Sequence, residues 1–321
     1  MTRLTHQPAY IGRDLPRGDH TPPADLDEFW ATSLPAGKVV PQLEKVGTRL
    51  KTVDVFDVVF PGFGQEPVRA WLVHPAGTDE RLPVVVEYMG YGGGRALAHE
   101  RLLWASAGYA HLAVDTRGQG STWSVGHTPD PHGSDPAHPG YLTKGIGSRD
   151  TYYYRRVFTD AACAVHAARE LPGVDPDRIV LRGASQGGGI TIAAAALAPE
   201  GVVGALVDVP FLCDIGRAAA LAEEPPYTEL RTYLATHRDR VAQTLDVLRY
   251  FDGVVLSQRA TVPSLWSVGL MDVVCPPETV FAAYDAWAGQ KSIEVYPYCG
   301  HDGGGAHHSA LQLEAAAAMT S

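Results

Sequence analysis

The chain has 321 residues, of which 45% are apolar and 19% are charged, and its formal net charge is −10. This length allows one large α/β domain or two small domains, and the apolar fraction allows a sizeable core. The acidic balance argues against a nucleic-acid-binding protein, which needs a basic face, and no apolar stretch is long enough to predict a membrane-spanning helix.

The first third of the chain predicts an N-terminal arm and the beginning of an alternating strand and helix pattern. Residues 1–35 are rich in Pro, Asp and Gly, and we expect them to pack as an arm on the main body. Apolar periodicity and flanking turn residues define the elements of this part. In chain order they are helix Ala24–Thr32, the antiparallel hairpin of strands Thr52–Phe60 and Val68–His74, strand Leu82–Tyr88, helix Ala98–Ala107 and strand Tyr109–Asp115.

The remaining two thirds continue the alternation after a long polar loop, Thr116–Gly147, whose length is typical of functional loops. The segment Phe211–Gly253 is predicted to be a helical insertion near the site, with helices Ile215–Ala222, Tyr227–Thr236 and Val241–Tyr250. The pattern predicts a mostly parallel central sheet with helices on both faces, in a single domain over residues 1–321. Its other elements are helix Tyr152–Glu170, turn Leu171–Pro176, strand Arg178–Leu181, helix Gly188–Leu197, strand Gly204–Val209, strand Ser264–Gly269, helix Pro276–Ala288, strand Ser292–Tyr296 and helix His308–Met319.

The strongest chemical signal is the motif Gly183-Ala184-Ser185-Gln186-Gly187. It follows an apolar strand and precedes an Ala-rich helix, which is the context of the nucleophile elbow in the α/β-hydrolase fold. The glycines are needed because side chains at their positions would collide with the neighbouring strand and helix. The elbow exposes the serine Oγ and places backbone N–H groups at a helix N-terminus, where they can hold an oxyanion. The sequence therefore predicts an α/β-hydrolase fold with Ser185 as the nucleophile.

A serine hydroxyl needs a base, and the fold predicts an acid and then a histidine after the nucleophile. Asp272 and His301 follow two successive predicted strands, at the edge where parallel sheets place their sites. Asp272 has an alternative role as an N-cap for the helix at Pro276. His307 and His308 are rivals to His301, but they lie farther from the strand end.

The second oxyanion donor should come from the glycine-rich loop 90–94, where we expect the N–H of Tyr91 to pair with the N–H of Gln186. A plain glycine turn is the alternative for this loop. Arg117, in Arg117-Gly118-Gln119, could bind an anionic substrate group or brace the site loops, and its rigid donor fork favours bracing. The three C-terminal histidines and Asp302 match no zinc-ligand spacing, so we expect no metal.

The sequence resembles carbohydrate esterase family seven, the acetyl xylan esterases and cephalosporin C deacetylases. The resemblance rests on three motifs and extends over nearly the whole chain. The motifs are Arg117-Gly118-Gln119, the elbow with Gln186 after the serine, and His301-Asp302, where the family has Glu as the second residue. Further similarity is found in 145–161, 208–213 and 269–284.

This resemblance implies removal of acetyl groups from small acetylated sugars and cephalosporins, without a cofactor, by a cytoplasmic hexamer. It implies a small acyl pocket near Tyr91, Gln186, Pro210 and Val274. It also implies supporting roles for the Arg117 motif and for Asp302, whose shorter side chain could weaken that support.

The four cysteines, Cys163, Cys213, Cys275 and Cys299, are too sparse for a disulfide framework, and we expect free thiols. No apolar run of signal length occurs in residues 1–23, so we expect a cytoplasmic protein. Two hypotheses compete with the acetyl esterase. One is an esterase or peptidase of the same fold with another acyl preference, and the other is a binding protein on the same scaffold.

Overall fold

One mixed β-sheet organises the molecule. The structure is a computed structural model that describes residues 18–132 and 140–321, so parts of the predicted arm and of the polar loop lie outside the described residues. The strands found there are β1 (Gln42–Val46), β2 (Val53–Pro61), β3 (Pro67–Pro75), β4 (Leu82–Tyr88), β5 (Ala110–Val114), β6 (Val174–Ala184), β7 (Val202–Asp208), β8 (Ser264–Gly269) and β9 (Lys291–Tyr296).

The strand order in this sheet is β1-β2-β3-β5-β4-β6-β7-β8-β9. Strands β1, β2, β3 and β5 pair antiparallel in succession, and the predicted hairpin of β2 and β3 is confirmed. All pairs from β5 through β4 to β9 are parallel, so the predicted mostly parallel sheet is confirmed. Parallel strands bring the loops that follow β4, β6, β8 and β9 to one edge.

Helices cover both faces of the sheet. They are α1 (Leu26–Ala31), α2 (Leu103–Ser106), α3 (Tyr153–Arg169), α4 (Gln186–Leu197), α5 (Ile215–Leu221), α6 (Tyr227–Thr236), α7 (Val241–Leu248), α8 (Gly253–Ser257), α9 (Pro277–Ala286) and α10 (Gly305–Thr320). None of these helices is both long and apolar enough to cross a membrane.

Side-chain alternation along the strands divides the core between the two faces. On β4, Val84 and Val86 belong to the main cluster with α3 and α4, whereas Val85 belongs to a smaller cluster with Trp104 and Ala316 of α2 and α10. Both faces of β4 are buried, because a strand covered by helices on each side has no solvent face.

The structure differs from the sequence prediction in four places. The turn predicted at Leu171–Pro176 ends early, because β6 already begins at Val174 and pairs irregularly with β7 before Val180. Strand β1 was not predicted, since its half-exposed residues lack apolar alternation. Helix Ala98–Ala107 is instead a 3₁₀ turn and the short α2. Helix α8, Gly253–Ser257, was not predicted.

The described part of the N-terminal arm is attached to the domain by aromatic contacts. Helix α1 buries Leu26, Phe29 and Trp30. The Trp30 ring lies 6.1 Å from that of Phe158 in α3 and 5.6 Å from that of Phe251. The arm therefore covers one end of the main core.

Trp30→Ala should lower the free energy of unfolding by about 3–5 kcal/mol, the usual cost of removing a buried tryptophan side chain. Urea unfolding followed by circular dichroism measures this change. The control is Glu28→Ala, an exposed residue of the same helix. A loss below about 1 kcal/mol, typical of surface substitutions, would show that the arm does not stabilise the core.

Candidate active site

The turn between β6 and α4 holds Ser185 in a strained backbone conformation. Its φ is 57° and its ψ is −121°, a region that non-glycine residues rarely adopt. A Cβ on Gly183 would lie 2.2 Å from the backbone of Gly187, and a Cβ on Gly187 would lie 2.3 Å from the carbonyl oxygen of Tyr88. Both flanking positions thus exclude side chains, as expected for a nucleophile elbow.

His301 and Asp272 form a direct pair at the same edge of the sheet. The Nδ1 atom of His301 lies 2.7 Å from Oδ2 of Asp272. The other carboxylate oxygen of Asp272 accepts the N–H groups of Val274 and Cys275, at 2.8 and 2.9 Å. One buried carboxylate therefore fixes its own loop and orients the histidine ring. The N-cap of α9 is Pro276, so Asp272 does not cap that helix.

The rival histidines are placed differently. His308 is buried, with Nδ1 3.1 Å from the hydroxyl of Tyr296 and Nε2 3.0 Å from the carboxylate of Asp208. His307 is exposed at the start of α10. Neither pairs with Asp272.

A cavity of about 460 Å³ brings the candidate residues together. Its lining includes Ser185, His301, Tyr91 and Val274. The full lining is Glu87, Tyr88, Met89, Gly90, Tyr91, Arg101, Trp123, Arg182, Ala184, Ser185, Pro225, Pro226, Val274 and His301. Ser185 and His301 thus open on one space that is large enough for a small-molecule ligand.

Cys275 is a buried thiol next to the nucleophile. Burial raises its pKa well above the usual value, and the side chain of Ser185 contributes in the opposite direction. The thiol is therefore protonated at neutral pH and does not compete with the serine as a nucleophile.

Two buried amide side chains connect the elbow to the glycine-rich loop. The Nε2 group of Gln119 donates to Oε1 of Gln186 at 2.9 Å, and Oε1 of Gln119 accepts the N–H of Gly92 at 2.7 Å. Gln186 in turn donates to the carbonyl of Met89 at 3.1 Å and accepts from the hydroxyl of Tyr154 at 2.8 Å. These bonds hold loop 89–92 against the start of α4.

This arrangement leaves two N–H groups available near Ser185. Within residues 18–132 and 140–321, the N–H groups of Tyr91 and Gln186 have no acceptor. Such unpaired donors beside a nucleophile can bind a developing negative charge.

The side chain of Tyr91 fixes the same loop to the helical insertion. Its hydroxyl donates to Glu229 of α6 at 2.7 Å and accepts the N–H groups of Tyr141 and Leu142. Burial and the neighbouring Glu229 carboxylate raise the pKa of Tyr91, so the phenol stays neutral and remains a donor. Sequence reasoning missed Glu229, since nothing local marks it.

Arg117 is fully buried and does not line the cavity. Its guanidinium donates twice to Asp160, at 2.5 and 2.8 Å, and once to Glu66, at 2.5 Å. Its carbonyl accepts the hydroxyl of Tyr153, which also accepts from Gln119. Of the two roles considered, these contacts favour bracing of the loop over binding of substrate.

The remaining predicted residues are placed as follows. Val274 is half-buried and lines the cavity, whereas Pro210 does not and packs on Gly188 of α4. The prolines that do line it are Pro225 and Pro226 of the insertion, which no local pattern singles out.

Asp302 is exposed, and its carboxylate accepts the N–H of Gly300, so it shapes the turn that carries His301. The φ of Gly118 is 70°, a conformation that suits glycine. Among the described residues, no group of three or more His, Cys, Asp or Glu side chains could hold a metal ion.

Comparison with known proteins places the chain among esterases. Residues 15–317 match the family described as acetyl xylan esterase (AXE1). The acetyl esterase Axe7A of Xylanibacter ruminicola is 24% identical over 289 residues. The match covers 87% of this chain, but the chain spans only 63% of that protein's length.

Two solved structures are similar over almost their entire length. The acetyl xylan esterase from Paenibacillus sp. R4 is 35% identical, with a TM-score of 0.84, and the alignment covers 92% of this chain and 95% of that one. Acetyl xylan esterase 1 from Thermoanaerobacterium sp. JW/SL YS485 is 30% identical, with a TM-score of 0.86 and coverage of 95% and 96%.

Gln119→Leu should slow the reaction of Ser185 with a fluorophosphonate by about tenfold to 100-fold. The loss is smaller than the roughly 10²–10³-fold cost of deleting an oxyanion donor, because the donors are displaced rather than removed. The labelling rate, measured by mass spectrometry, tests this. Gln290→Leu, at an exposed position near the opposite edge of the sheet, is the control. Equal labelling rates for the two variants would contradict a role for Gln119 in placing the loop.

Proposed function

The chain belongs to the acetyl xylan esterase family, and from this membership we propose that it is a serine esterase that removes acetyl groups from small acetylated substrates. The observation that carries the proposal is the pairing of His301 with Asp272 in the cavity that also contains Ser185. A nucleophile, a base and an orienting acid in this arrangement support acyl transfer, and they do not support a pure binding role.

The proposed mechanism has two steps and needs no cofactor. His301 takes the proton of Ser185 while Oγ attacks the acetyl carbonyl, and the protonated ring then gives its proton to the departing alcohol. Water, activated by the same histidine, hydrolyses the acetyl-enzyme and releases acetate. Asp272 keeps Nδ1 of His301 as the donor, so that Nε2 is the atom that exchanges protons with the serine and the leaving group.

In this proposal the oxyanion of the tetrahedral intermediate accepts hydrogen bonds from the N–H groups of Tyr91 and Gln186. Both groups lack acceptors within the described part of the chain, so they can bind the oxyanion without breaking another hydrogen bond. The buried amides of Gln119 and Gln186 keep the two donors in position before the reaction. This pre-organisation lowers the barrier because no reorientation is needed as charge develops.

The acyl group of the substrate is proposed to be acetate because bulky residues surround the nucleophile. Tyr91, Val274, Pro225 and Pro226 line the cavity beside Ser185, and in this proposal they surround the acyl group. The family resemblance supports acetylated xylo-oligosaccharides and cephalosporin C-like compounds as substrates. It also supports a cytoplasmic hexamer, and the free thiols fit a reducing compartment.

Ser185→Ala should reduce kcat on 4-nitrophenyl acetate by about 10⁶-fold, the loss that follows removal of the nucleophile from a comparable triad. Release of 4-nitrophenol, corrected for spontaneous hydrolysis, measures it. Ser292→Ala, at an exposed site on β9, should retain the full rate. A Ser185→Ala enzyme with most of its activity would overturn the proposed mechanism.

The acyl preference should appear in a series of 4-nitrophenyl acetate, butyrate and octanoate. We expect kcat/KM to fall by about tenfold to 100-fold from acetate to butyrate, because the two extra methylenes would press against the side chains that line the cavity beside Ser185. Val274→Ala should partly restore the butyrate rate, whereas Val241→Ala, on the exposed side of α7, should not. Equal wild-type rates on butyrate and octanoate would favour the alternative, an esterase or peptidase with another acyl preference.

A further inference from the structure

One wall of the cavity is ionic, and acetyl transfer does not use it. Glu87, Arg101 and Arg182 line the same space as Ser185 and His301. Alternation along β4 and β6 puts Glu87 and Arg182 on the sheet face of Val85 and Val180. Tyr91 and Val274 pack on the opposite cluster. The cavity therefore has an apolar part beside the acyl site and a charged part on the other face of the sheet.

Glu87 has partners within this wall. Its carboxylate contacts the guanidinium of Arg182 and lies 2.9 Å from Nε2 of the buried His111. Burial alone would raise its pKa, but the positive charges of Arg182 and Arg101 and the hydrogen bond with His111 hold the pKa of Glu87 well below its usual range. The group is thus a fixed anion whose charge is already matched.

Within the described part of the chain, Arg101 makes no hydrogen bond to a carboxylate. Its Nη1 atom lies 3.7 Å from the Glu87 carboxylate, which is too long for a hydrogen bond. Its Nε group makes a long bond of 3.4 Å to the carbonyl of Arg95, and its Nη2 group contacts the weakly accepting sulfur of Met89 at 3.2 Å. The side chain is only 16% exposed, yet it lines the cavity.

Two other buried arginines of the chain, unlike Arg101, make hydrogen bonds to carboxylates. Arg117 makes three hydrogen bonds to carboxylates, and Arg95 binds Asp57 and the carbonyl of Ala70 at 2.7 and 2.8 Å. A guanidinium removed from water normally has such partners, because its five donors are costly to leave unpaired. Among the residues that the structure describes, Arg101 has the 3.7 Å ion pair with Glu87 but no hydrogen bond to a carboxylate, and its side chain lines the cavity.

We propose that Arg101 forms a subsite for a carboxylate on the alcohol part of the substrate, so that the enzyme prefers acetyl esters whose leaving group is anionic. This inference rests on the proposed function. An acetyl group fills only a small part of a 460 Å³ cavity, so the alcohol part occupies the rest. In this wall Arg182 contacts Glu87 and also lies 4.0 Å from Asp208, whereas Arg101 has only the longer contact with Glu87. A carboxylate pairs with a guanidinium by two parallel hydrogen bonds.

The test compares two esters that differ only in charge, 4-acetoxybenzoate and methyl 4-acetoxybenzoate, with 3-acetoxybenzoate as a second geometry. The readout is the ratio of kcat/KM for the anionic ester to that for the neutral ester, in wild type and variants. The two esters differ in intrinsic reactivity, and this difference cancels when the ratio for a variant is compared with the ratio for the wild type. Arg101→Gln should lower this ratio by about tenfold to 100-fold, as expected for loss of a hydrogen bond to a charged group. Arg101→Lys should retain part of the preference because it keeps the charge.

The matched control is Arg81→Gln, which removes one exposed positive charge at the opposite end of β4 and should leave the ratio unchanged. A ratio for Arg101→Gln within twofold of wild type overturns the subsite and leaves the esterase standing. Absence of Ser185-dependent hydrolysis of either ester by the wild type overturns the proposed function, and the inference falls with it.

A wild-type measurement covers the case in which Arg101→Gln does not fold. The products 4-hydroxybenzoate and methyl 4-hydroxybenzoate are compared as competitive inhibitors at pH 7. We expect the anion to bind about tenfold more tightly, with the difference shrinking as salt screens the pair. Equal or weaker inhibition by the anion overturns the proposal.

Discussion

The backbone conformation of Ser185 is the constraint on which the site depends. With φ at 57°, the residue reverses the chain between β6 and α4 and projects its hydroxyl from the edge of the sheet. The carbonyl of Ser185 accepts the N–H groups of Gly189 and Phe211, and its N–H donates to the carbonyl of Asp208. These bonds to α4 and to the end of β7 hold a conformation that an isolated turn would abandon.

The second constraint is the chain of buried amides and tyrosines around Gln119. Every donor and acceptor in this chain has a partner, which makes it rigid instead of costly. It connects the loop after β4 to the start of α4, and Arg117 connects the next loop to Asp160 of α3. The insertion adds a third connection through Glu229 and the hydroxyl of Tyr91. Residues from four parts of the chain therefore place two backbone N–H groups.

The two faces of the sheet contribute different kinds of side chain to the lining of the cavity. On the face of α3 and α4, the side chains that line the cavity are aromatic and aliphatic. On the face of α10, the sheet carries two charged residues, Glu87 and Arg182, that line the cavity. Because the charges are partly buried, they act on a bound molecule with little screening. This asymmetry is the physical basis for the separate acyl and alcohol specificity that we propose.

The sequence by itself determined the fold class, the elbow around Ser185 and the order of acid and histidine. These features are local: a five-residue motif, apolar periodicity and the positions of Asp272 and His301 after predicted strands. Strand β1 was not predicted because its exposed residues do not alternate between apolar and polar. The start of β6 was not predicted because it pairs irregularly with β7. Only the tertiary structure decided which prolines line the cavity, that Glu229 holds Tyr91, and that Arg101 contacts Glu87 only at 3.7 Å. Those facts depend on contacts between residues far apart in the chain, and no local pattern encodes them.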